Sequence, residues 1–223
     1  LAIILKDLNH FDDAVQSYYK VIEIDPNFAH AHNNLGNLYK DLGQADKALK
    51  SYRKVIEINP NFAHAHNNLG NLYKDLENYK DAIKCYKKAI TINPNFSEAH
   101  NNLGNVFKDI GELDRAINSY QKAIKLNSDF AEAYYNLGNA FKKLNQKQKA
   151  LLFFEKAGAI NPKIDFILGD ILTARMQFCD WTDYSISLES LESKIVVNEK
   201  VVDPFNLLGL IDNPALQKIA AQI

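Results

Sequence analysis

Asparagines recur at a fixed spacing in this sequence, and their amides are its clearest binding chemistry. The string Asn-Asn-Leu-Gly-Asn begins at Asn33, Asn67 and Asn101, and Tyr-Asn-Leu-Gly-Asn begins at Tyr135, so successive copies are separated by one constant interval, the repeat period. A side-chain amide carries both donors and an acceptor, the groups that an extended peptide backbone presents in every residue. A row of such amides is therefore predicted to bind main chain with little regard to sequence.

A lysine follows each string and is suited to hold a carboxylate or a peptide C-terminus. The candidate peptide-binding residues are Asn33, Asn34, Asn37, Lys40, Asn67, Asn68, Asn71, Lys74, Asn101, Asn102, Asn105, Lys108, Asn136, Asn139 and Lys142. In the alternative interpretation, one asparagine per copy bonds a neighbouring helix and only fixes the repeat geometry. The Lys-Asp pairs are then solvated.

No catalytic or metal-binding constellation accompanies these residues. His30 and His32 stand two apart, so they point to different sides of a helix, whereas zinc needs three or four convergent ligands. Asp180 and Asp183 flank a predicted helix start, where aspartate caps. We expect no metal, no cofactor and no catalysis from this chain. The sequence predicts half-buried packing roles for His32, His66 and His100.

Two apolar patterns recur with the asparagine strings and predict the elements that carry them. Leu35, Gly36 and Tyr39 form one helical stripe, Ala48 and Tyr52 belong to another, and both recur with the repeat period. A period of about 34 residues indicates an array of helical repeats. Small residues at the predicted crossing of two helices let their backbones approach. The predicted units are 29–62, 63–96, 97–130 and 131–164, with a partial unit over 1–28.

The recurring Leu, Gly, aromatic, Ala, aromatic, Ala and Pro positions resemble the tetratricopeptide repeat family across residues 1–164. The resemblance implies an all-α fold, a right-handed superhelix (α-solenoid) of antiparallel helix pairs whose first helices line the concave side. Asparagine is a poor helix former, so eleven of them on those first helices need a reason other than local structure. The first residue, Leu1, falls in mid-helix, so we expect a longer array.

The period fails after Pro162, and residues 165–223 are predicted to cap the array. Helices are expected over Asp165–Phe178, Asp183–Val196 and Phe205–Ile211, and a last one from Asp212 to Ile223. In the second of these, an apolar stripe is predicted, made of Ile186, Leu191 and Ile195. Trp181 and Tyr184 are expected to pack on the last helices.

Composition limits the partners. The net charge is −1, and residues 165–223 carry 9 acidic and 4 basic side chains, so their net charge is −5 and that of residues 1–164 is +4. Near balance argues against nucleic acid as a ligand. Two cysteines make no disulfide framework, which favours a cytoplasmic location, and no apolar run is long enough to span a membrane. Homo-oligomers through uncapped ends or the convex face remain open.

The last segment carries a second resemblance. Its strings are Cys-Asp-Trp-Thr-Asp-Tyr at 179–184, Asp-Pro-Phe-Asn-Leu-Leu at 203–208 and Asp-Asn-Pro-Ala-Leu at 212–216. They are similar to the junction between repeats and catalytic region in O-linked N-acetylglucosamine transferase-like glycosyltransferases. The resemblance implies a parent enzyme whose catalytic domain begins after Ile223, with the repeats presenting extended protein substrate. The alternative is a stand-alone scaffold or co-chaperone-type adaptor that binds one peptide tail through its lysines.

Overall fold

The computed structural model describes residues 2–197 and 199–222, and helices are the only regular secondary structure among them. Leu1 and Ile223, both predicted to be helical, lie outside the described residues. The helices are α1 (Ala2–Asp7), α2 (Phe11–Ile24), α3 (Ala29–Asp41), α4 (Ala45–Ile58), α5 (Ala63–Asp75), α6 (Tyr79–Ile92), α7 (Ser97–Asp109), α8 (Leu113–Leu126), α9 (Ala131–Lys143), α10 (Lys147–Ile160), α11 (Ile167–Met176), α12 (Tyr184–Val196), α13 (Pro204–Leu210) and α14 (Pro214–Ala220). The chain forms two compact units, Leu1–Val106 and Phe107–Ile223, and each is described by itself.

In the first unit, the α3–α4 and α5–α6 pairs each close around a glycine and an aromatic ring. A Cβ on Gly36 would lie 2.6 Å from the Tyr52 ring, and one on Gly70 would lie 2.7 Å from the Tyr86 ring. Both tyrosines are fully buried, as is Ala48. The small residues predicted at the helix crossing therefore leave the space that the tyrosine of the second helix fills.

The turn between the two helices of a pair contains a left-handed residue at the same repeat position. In the first unit, φ is 61° at Asn9, 68° at Gly43 and 56° at Glu77. In the second unit, it is 83° at Gly111 and 58° at Asn145. Glycine and asparagine accept this conformation readily, but glutamate does not, so Glu77 is held there by the packing of α5 and α6.

The repeated histidines fix the loop that precedes each first helix. The Nε2 atom of His32 lies 2.9 Å from the carbonyl oxygen of Pro26, and that of His66 lies 3.0 Å from the carbonyl oxygen of Pro60. His32 is half-buried as predicted, whereas His66 and His100 are buried more completely. A ring nitrogen bonded to a loop carbonyl is thus a structural feature, with no need of a metal.

In the second unit, α11 continues the repeat spacing past the predicted break. Asp170 stands one repeat period after Asn136, and the helix begins at Ile167, later than predicted. Residues 199–202 cross its N-terminal end, where the Gly169 N–H donates to the Val201 carbonyl at 2.9 Å. A Cβ on Gly169 would collide with the Val202 side chain, so this crossing also needs a glycine.

The helices after α11 form a small apolar core whose stripe differs from the predicted one. Leu191 and Ile195 are buried, but Ile186 is 68% exposed, and Leu188 packs against the core in its place. The reason is helical geometry, since 188, 191 and 195 follow the spacing of one face and 186 does not.

The predicted roles of the 180–184 segment are only partly observed. Trp181 is 54% exposed and contacts Tyr184 edge to face at 5.1 Å, so it does not pack on the last helices. The Tyr184 hydroxyl does reach that region, donating to the Leu210 carbonyl at 3.4 Å. Asp183 makes no side-chain cap bond, and the Asp180 carboxylate instead accepts from the Thr182 N–H.

Candidate functional site

The asparagines predicted as peptide ligands lie on the first helix of each pair, at three positions with different environments. Asn33, Asn67 and Asn101 are buried, with 7%, 6% and 3% of their surface exposed. The other candidate asparagines are half-buried, so they keep solvent contact while lying close to neighbouring helices.

In the first unit, Asn33, Asn37, Tyr52 and Asn68 form a hydrogen-bonded cluster, the amide network. The Asn68 Nδ2 donates to Asn33 Oδ1 at 3.1 Å and to Asn37 Oδ1 at 3.0 Å. The buried Tyr52 hydroxyl donates to the same Asn37 oxygen at 2.7 Å. These bonds join α3, α4 and α5, as the structural interpretation of the asparagines predicts.

Two of these three bonds recur one repeat later. The Asn102 Nδ2 donates to Asn67 Oδ1 at 3.1 Å, and the Tyr86 hydroxyl donates to Asn71 Oδ1 at 2.7 Å. A hydrogen bond between buried amides stabilises by about 1 kcal/mol, and an acceptor left unpaired costs more. The amides therefore have a structural role whether or not a ligand binds.

Pairs between successive first helices recur at a separation of 35 residues, one more than the repeat period. They are Lys6–Asp41, Asn33–Asn68, Lys40–Asp75, Asn67–Asn102 and Tyr135–Asp170. Neighbouring first helices are thus staggered by one residue. Because of this stagger, the second asparagine of a string meets the first asparagine of the preceding string.

The amide network leaves one donor and one acceptor unused. Among the described residues, the Asn37 Nδ2 and the Asn68 Oδ1 have no hydrogen-bond partner. The other polar atoms of these two amides, the Asn37 Oδ1 and the Asn68 Nδ2, are bonded to each other. The Nδ2 of Asn71 and the Oδ1 of Asn102 are equally unengaged within the described part of the chain. The internal bonds hold these amides in place, so their remaining groups are positioned without further loss of side-chain entropy.

The predicted lysines differ in their carboxylate neighbours. The Lys40 Nζ lies 3.4 Å from a carboxylate oxygen of Asp75, and the Lys108 Nζ lies 3.9 Å from a carboxylate oxygen of Asp109. Lys74 forms no ion pair with a carboxylate of the described residues. Exposed pairs of this kind contribute little and exchange readily, so they leave the lysines able to bind an incoming carboxylate.

In the second unit, a buried carboxylate, Asp170, occupies the equivalent position. Asp170 is 7% exposed and accepts from the Tyr135 hydroxyl at 2.9 Å and from the Lys142 Nζ at 2.8 Å. Burial raises the pKa of Tyr135, and the Asp170 charge and hydrogen bond raise it further, while a hydrogen bond with Asn139 opposes them. Lys142, whose side chain is half exposed, is thus paired with a buried carboxylate. Asn136 lies half-buried on the same helix.

Asp170 was not predicted as a site residue, because the repeat pattern of the sequence fails after Pro162. Its place one repeat period after Asn136 is the signal that would have indicated it. Thr173, which follows Asn139 by the same interval, has a buried hydroxyl without a partner among the described residues. The ladder, meaning the row of polar residues at equivalent positions of successive first helices, therefore continues onto α11 with Asp170 and Thr173 in place of amides.

Other reactive groups do not form a site. Groups of three or more histidine, cysteine or acidic side chains with metal-binding geometry are absent from residues 2–197 and 199–222. Burial raises the pKa of the Cys85 thiol to about 11, which keeps it protonated and poorly nucleophilic. No helix among the described residues is long and apolar enough to cross a membrane.

Two family models match the chain. The model described as TPR repeat matches residues 4–43, 36–76, 70–111 and 104–145, and the model described as Tetratricopeptide repeat matches residues 131–164. A search of curated proteins gave no match. Neither model extends over the 179–216 strings, and none of these comparisons supports their resemblance to a glycosyltransferase junction.

Solved structures share the fold. MamA is 29% identical with a TM-score of 0.63, over 73% of this chain and 95% of MamA. Pseudomonas aeruginosa PilF is 20% identical with a TM-score of 0.77, over 86% of this chain and 88% of PilF. YrrB, described as a TPR protein with an unusual peptide-binding site, is 20% identical with a TM-score of 0.61, over 94% of this chain and all of YrrB. With family models covering more than half of its length, the chain belongs to the tetratricopeptide repeat family.

Proposed function

We propose that this chain is a protein-interaction module that binds extended polypeptide along the first helices of its repeats. The observation that carries the proposal is the unused amide donor of Asn37 beside the unused acceptor of Asn68, repeated at Asn71 and Asn102. An extended backbone offers a carbonyl and an N–H to match each pair. Protein and peptide binding is the general role of this repeat family, and YrrB indicates that the fold can carry a peptide site.

The stagger of the first helices explains why two amides are needed for each repeat. The Asn37 oxygen is occupied by Tyr52 and Asn68, so its only remaining polar group is the Nδ2 donor. The Asn68 nitrogen is occupied in turn, so only its Oδ1 acceptor remains. Because neither amide can rotate without breaking these bonds, donor and acceptor keep fixed places, and binding should depend weakly on peptide sequence.

The test exchanges an amide for a carboxylate of the same shape. In Asn37→Asp, the carboxylate still accepts from Tyr52 and Asn68, but the outward donor is lost. We expect the double variant Asn37→Asp and Asn71→Asp to bind an array of short peptides of varied sequence about tenfold more weakly, from the loss of two hydrogen bonds at about 0.7 kcal/mol each. The matched control for each single exchange is Asn118→Asp on α8, which introduces one carboxylate on an exposed surface.

The outcomes distinguish two modes of binding. If the double variant binds as the unchanged protein does, the amides serve packing alone and the proposal is wrong. The second candidate is a peptide tail held by lysine, and it is favoured because Lys74 forms no ion pair with a carboxylate of the described residues. In that mode, Lys74→Ala abolishes binding of a peptide with a free C-terminal carboxylate, an amidated peptide does not bind, and the asparagine variants bind normally.

We also propose, more specifically, that this module presents protein substrates to a glycosyltransferase of the N-acetylglucosamine-transferring type. The support is the resemblance of the strings at 179–184, 203–208 and 212–216 to the junction of such enzymes. Reading the coding sequence past Ile223 tests it directly. A following domain that binds a nucleotide sugar is expected, and a reading frame without one would remove the enzyme while leaving the peptide-binding proposal intact.

A further inference from the structure

The opposite side of α3 from Asn34 and Asn37 faces a cavity of about 740 Å³ between α2 and α4, the α2–α4 groove. His32, Leu35 and Tyr39 line it from α3. These three positions follow the spacing of one helical face, and 34 and 37 fall on another. The groove is therefore a surface distinct from the one that carries the amides.

The floor of the α2–α4 groove is apolar and one wall is aromatic. Ile22, Leu35 and Leu49, one from each of the three helices, contribute aliphatic side chains. The hydroxyls of Tyr19 and Tyr39 lie 2.9 Å apart, and both rings border the cavity. The volume lies within the range of pockets that bury a ligand of drug-like size, which is enough for one large side chain and its flanking backbone.

The rim is basic, because its cations outnumber its carboxylates. Lys47, Lys50, Arg53 and Lys54 face Asp46 and Glu57 around the same groove. The Lys54 Nζ is paired with Glu57 at 2.9 Å. The Lys47 Nζ lies 5.2 Å from the centre of the Tyr39 ring. An Arg53 guanidinium nitrogen donates to the Tyr73 hydroxyl at 3.5 Å. Within the described part of the chain, the other three cations form no ion pair with a carboxylate.

We propose that the α2–α4 groove binds an acidic segment of a partner protein through one aromatic or branched aliphatic side chain. The anchor fills the space over Ile22 and Leu49, and the flanking carboxylates pair with Lys47, Lys50 and Arg53. Charge complementarity selects this occupant, since a basic rim around an apolar floor disfavours a basic or purely polar segment. The apolar floor, in turn, disfavours a polyanion that has no anchor.

A smaller version of the groove lies one repeat later, between α4 and α6, with a volume of about 360 Å³. Ile56, Leu69 and Tyr73 line it, and they are the repeat equivalents of the α2–α4 groove residues Ile22, Leu35 and Tyr39. One of its lysines, Lys84, is paired with Asp81 at 3.0 Å. Its smaller volume and partly neutralised rim make it the weaker of the two, so we assign the partner to the α2–α4 groove.

The experiment titrates the chain with a dye-labelled acidic peptide that has one central phenylalanine among glutamates. Two control peptides replace the phenylalanine by serine or the glutamates by glutamine. The protein variant is Lys50→Glu with Arg53→Glu, and its matched control is Lys122→Glu with Lys125→Glu on α8, where both lysines are exposed. Circular dichroism checks that all variants remain folded.

We expect the acidic peptide to bind saturably, and to bind at least about tenfold more weakly to the groove variant and at raised salt. Both control peptides should bind the unchanged protein at least about tenfold more weakly than the acidic peptide does. The α8 variant should bind the acidic peptide as the unchanged protein does. Equal binding of the serine peptide or of a single-stranded oligonucleotide would overturn the proposal, because the rim would then be an unspecific cation surface. Loss of peptide binding upon self-association of the chain would also overturn it, since the groove would then hold a second copy. Repeating the titration in the Asn37→Asp and Asn71→Asp double variant, where binding along the amide surface is weakened, separates the two surfaces, since the remaining binding of the acidic peptide should still weaken about tenfold with Lys50→Glu and Arg53→Glu.

Discussion

Replacing Asn68 by alanine isolates the contribution of the amide network to stability. The change removes hydrogen bonds of 3.1 and 3.0 Å and leaves the carbonyl of the buried Asn33 without that donor. Each bond contributes about 1 kcal/mol. Alanine returns about 0.6 kcal/mol through its better helix propensity. The expected net loss in the free energy of unfolding is therefore about 1.5 kcal/mol.

The chain provides its own control at Asn34. It occupies the same repeat position one unit earlier, and its amide oxygen makes only a long contact of 3.5 Å with the Asn33 Nδ2. Asn34→Ala gains the same helix propensity and loses little, so we expect it to stabilise the protein by about 0.5 kcal/mol. The two alanine variants should therefore differ by about 2 kcal/mol, a difference from which the propensity term cancels.

Amide hydrogen exchange is the suitable assay, because repeat arrays can unfold in parts and a single global transition would average them. A difference of about 2 kcal/mol corresponds to about 30-fold in the protection of α3 and α5. Urea unfolding of the full chain should shift in the same direction. If protection in Asn68→Ala and Asn34→Ala differs by less than twofold, the amide bonds contribute nothing net and the reasoning fails.

Four further results are expected. Glu77→Gly relieves a left-handed backbone at φ 56° and should raise the free energy of unfolding by about 0.5–1 kcal/mol in urea titrations. A lower free energy of unfolding would show that the Glu77 side chain stabilises more than its backbone conformation destabilises. Gly70→Ala should lower the free energy of unfolding by at least about 2 kcal/mol, because its Cβ would meet a buried ring at 2.7 Å. Gly209→Ala, with open space around it, should be neutral or stabilising. Equal effects of the two changes would refute the packing argument. Thr173→Val removes a buried hydroxyl without a partner among the described residues and should stabilise by about 1 kcal/mol, unless a ligand supplies that partner. Burial raises the pKa of Tyr39 to about 12, above its unfolded value of about 10. Its contribution to the free energy of unfolding is therefore complete below about pH 10 and is lost as the pH rises towards about 12. Phenolate absorbance should show a late-titrating tyrosine that Tyr39→Phe removes.

The segment 179–184, which carries part of the resemblance to a glycosyltransferase junction, lies beside a C-terminal apolar core. Trp181 is half-exposed, and Ile186 and Leu208 present further apolar surface in the same unit. The helices around them nevertheless have their own core, centred on Leu191 and Leu207. Stability of the segment therefore depends on that core.

Linear pattern was sufficient to predict the helices and their pairing. Helical stripes such as Leu35 with Tyr39, and the return of each stripe with the repeat period, depend on spacings of three, four and seven positions that are visible along the chain. The small-residue rule likewise predicted that Gly36 lies at a helix crossing, where the structure places it against the Tyr52 ring. These features follow from local backbone geometry and from burial, which a linear pattern records.

The roles of the asparagines could be assigned only in three dimensions. The partners of Asn68 lie 35 and 31 residues away, and they depend on a one-residue stagger between neighbouring helices that the repeat period does not contain. The same stagger joins Asp170 to Tyr135 and extends the ladder onto α11, past the point where the sequence pattern ends. Hydrogen bonds are directional and short, so a stagger of one residue decides which end of each amide is bonded and which remains for a ligand.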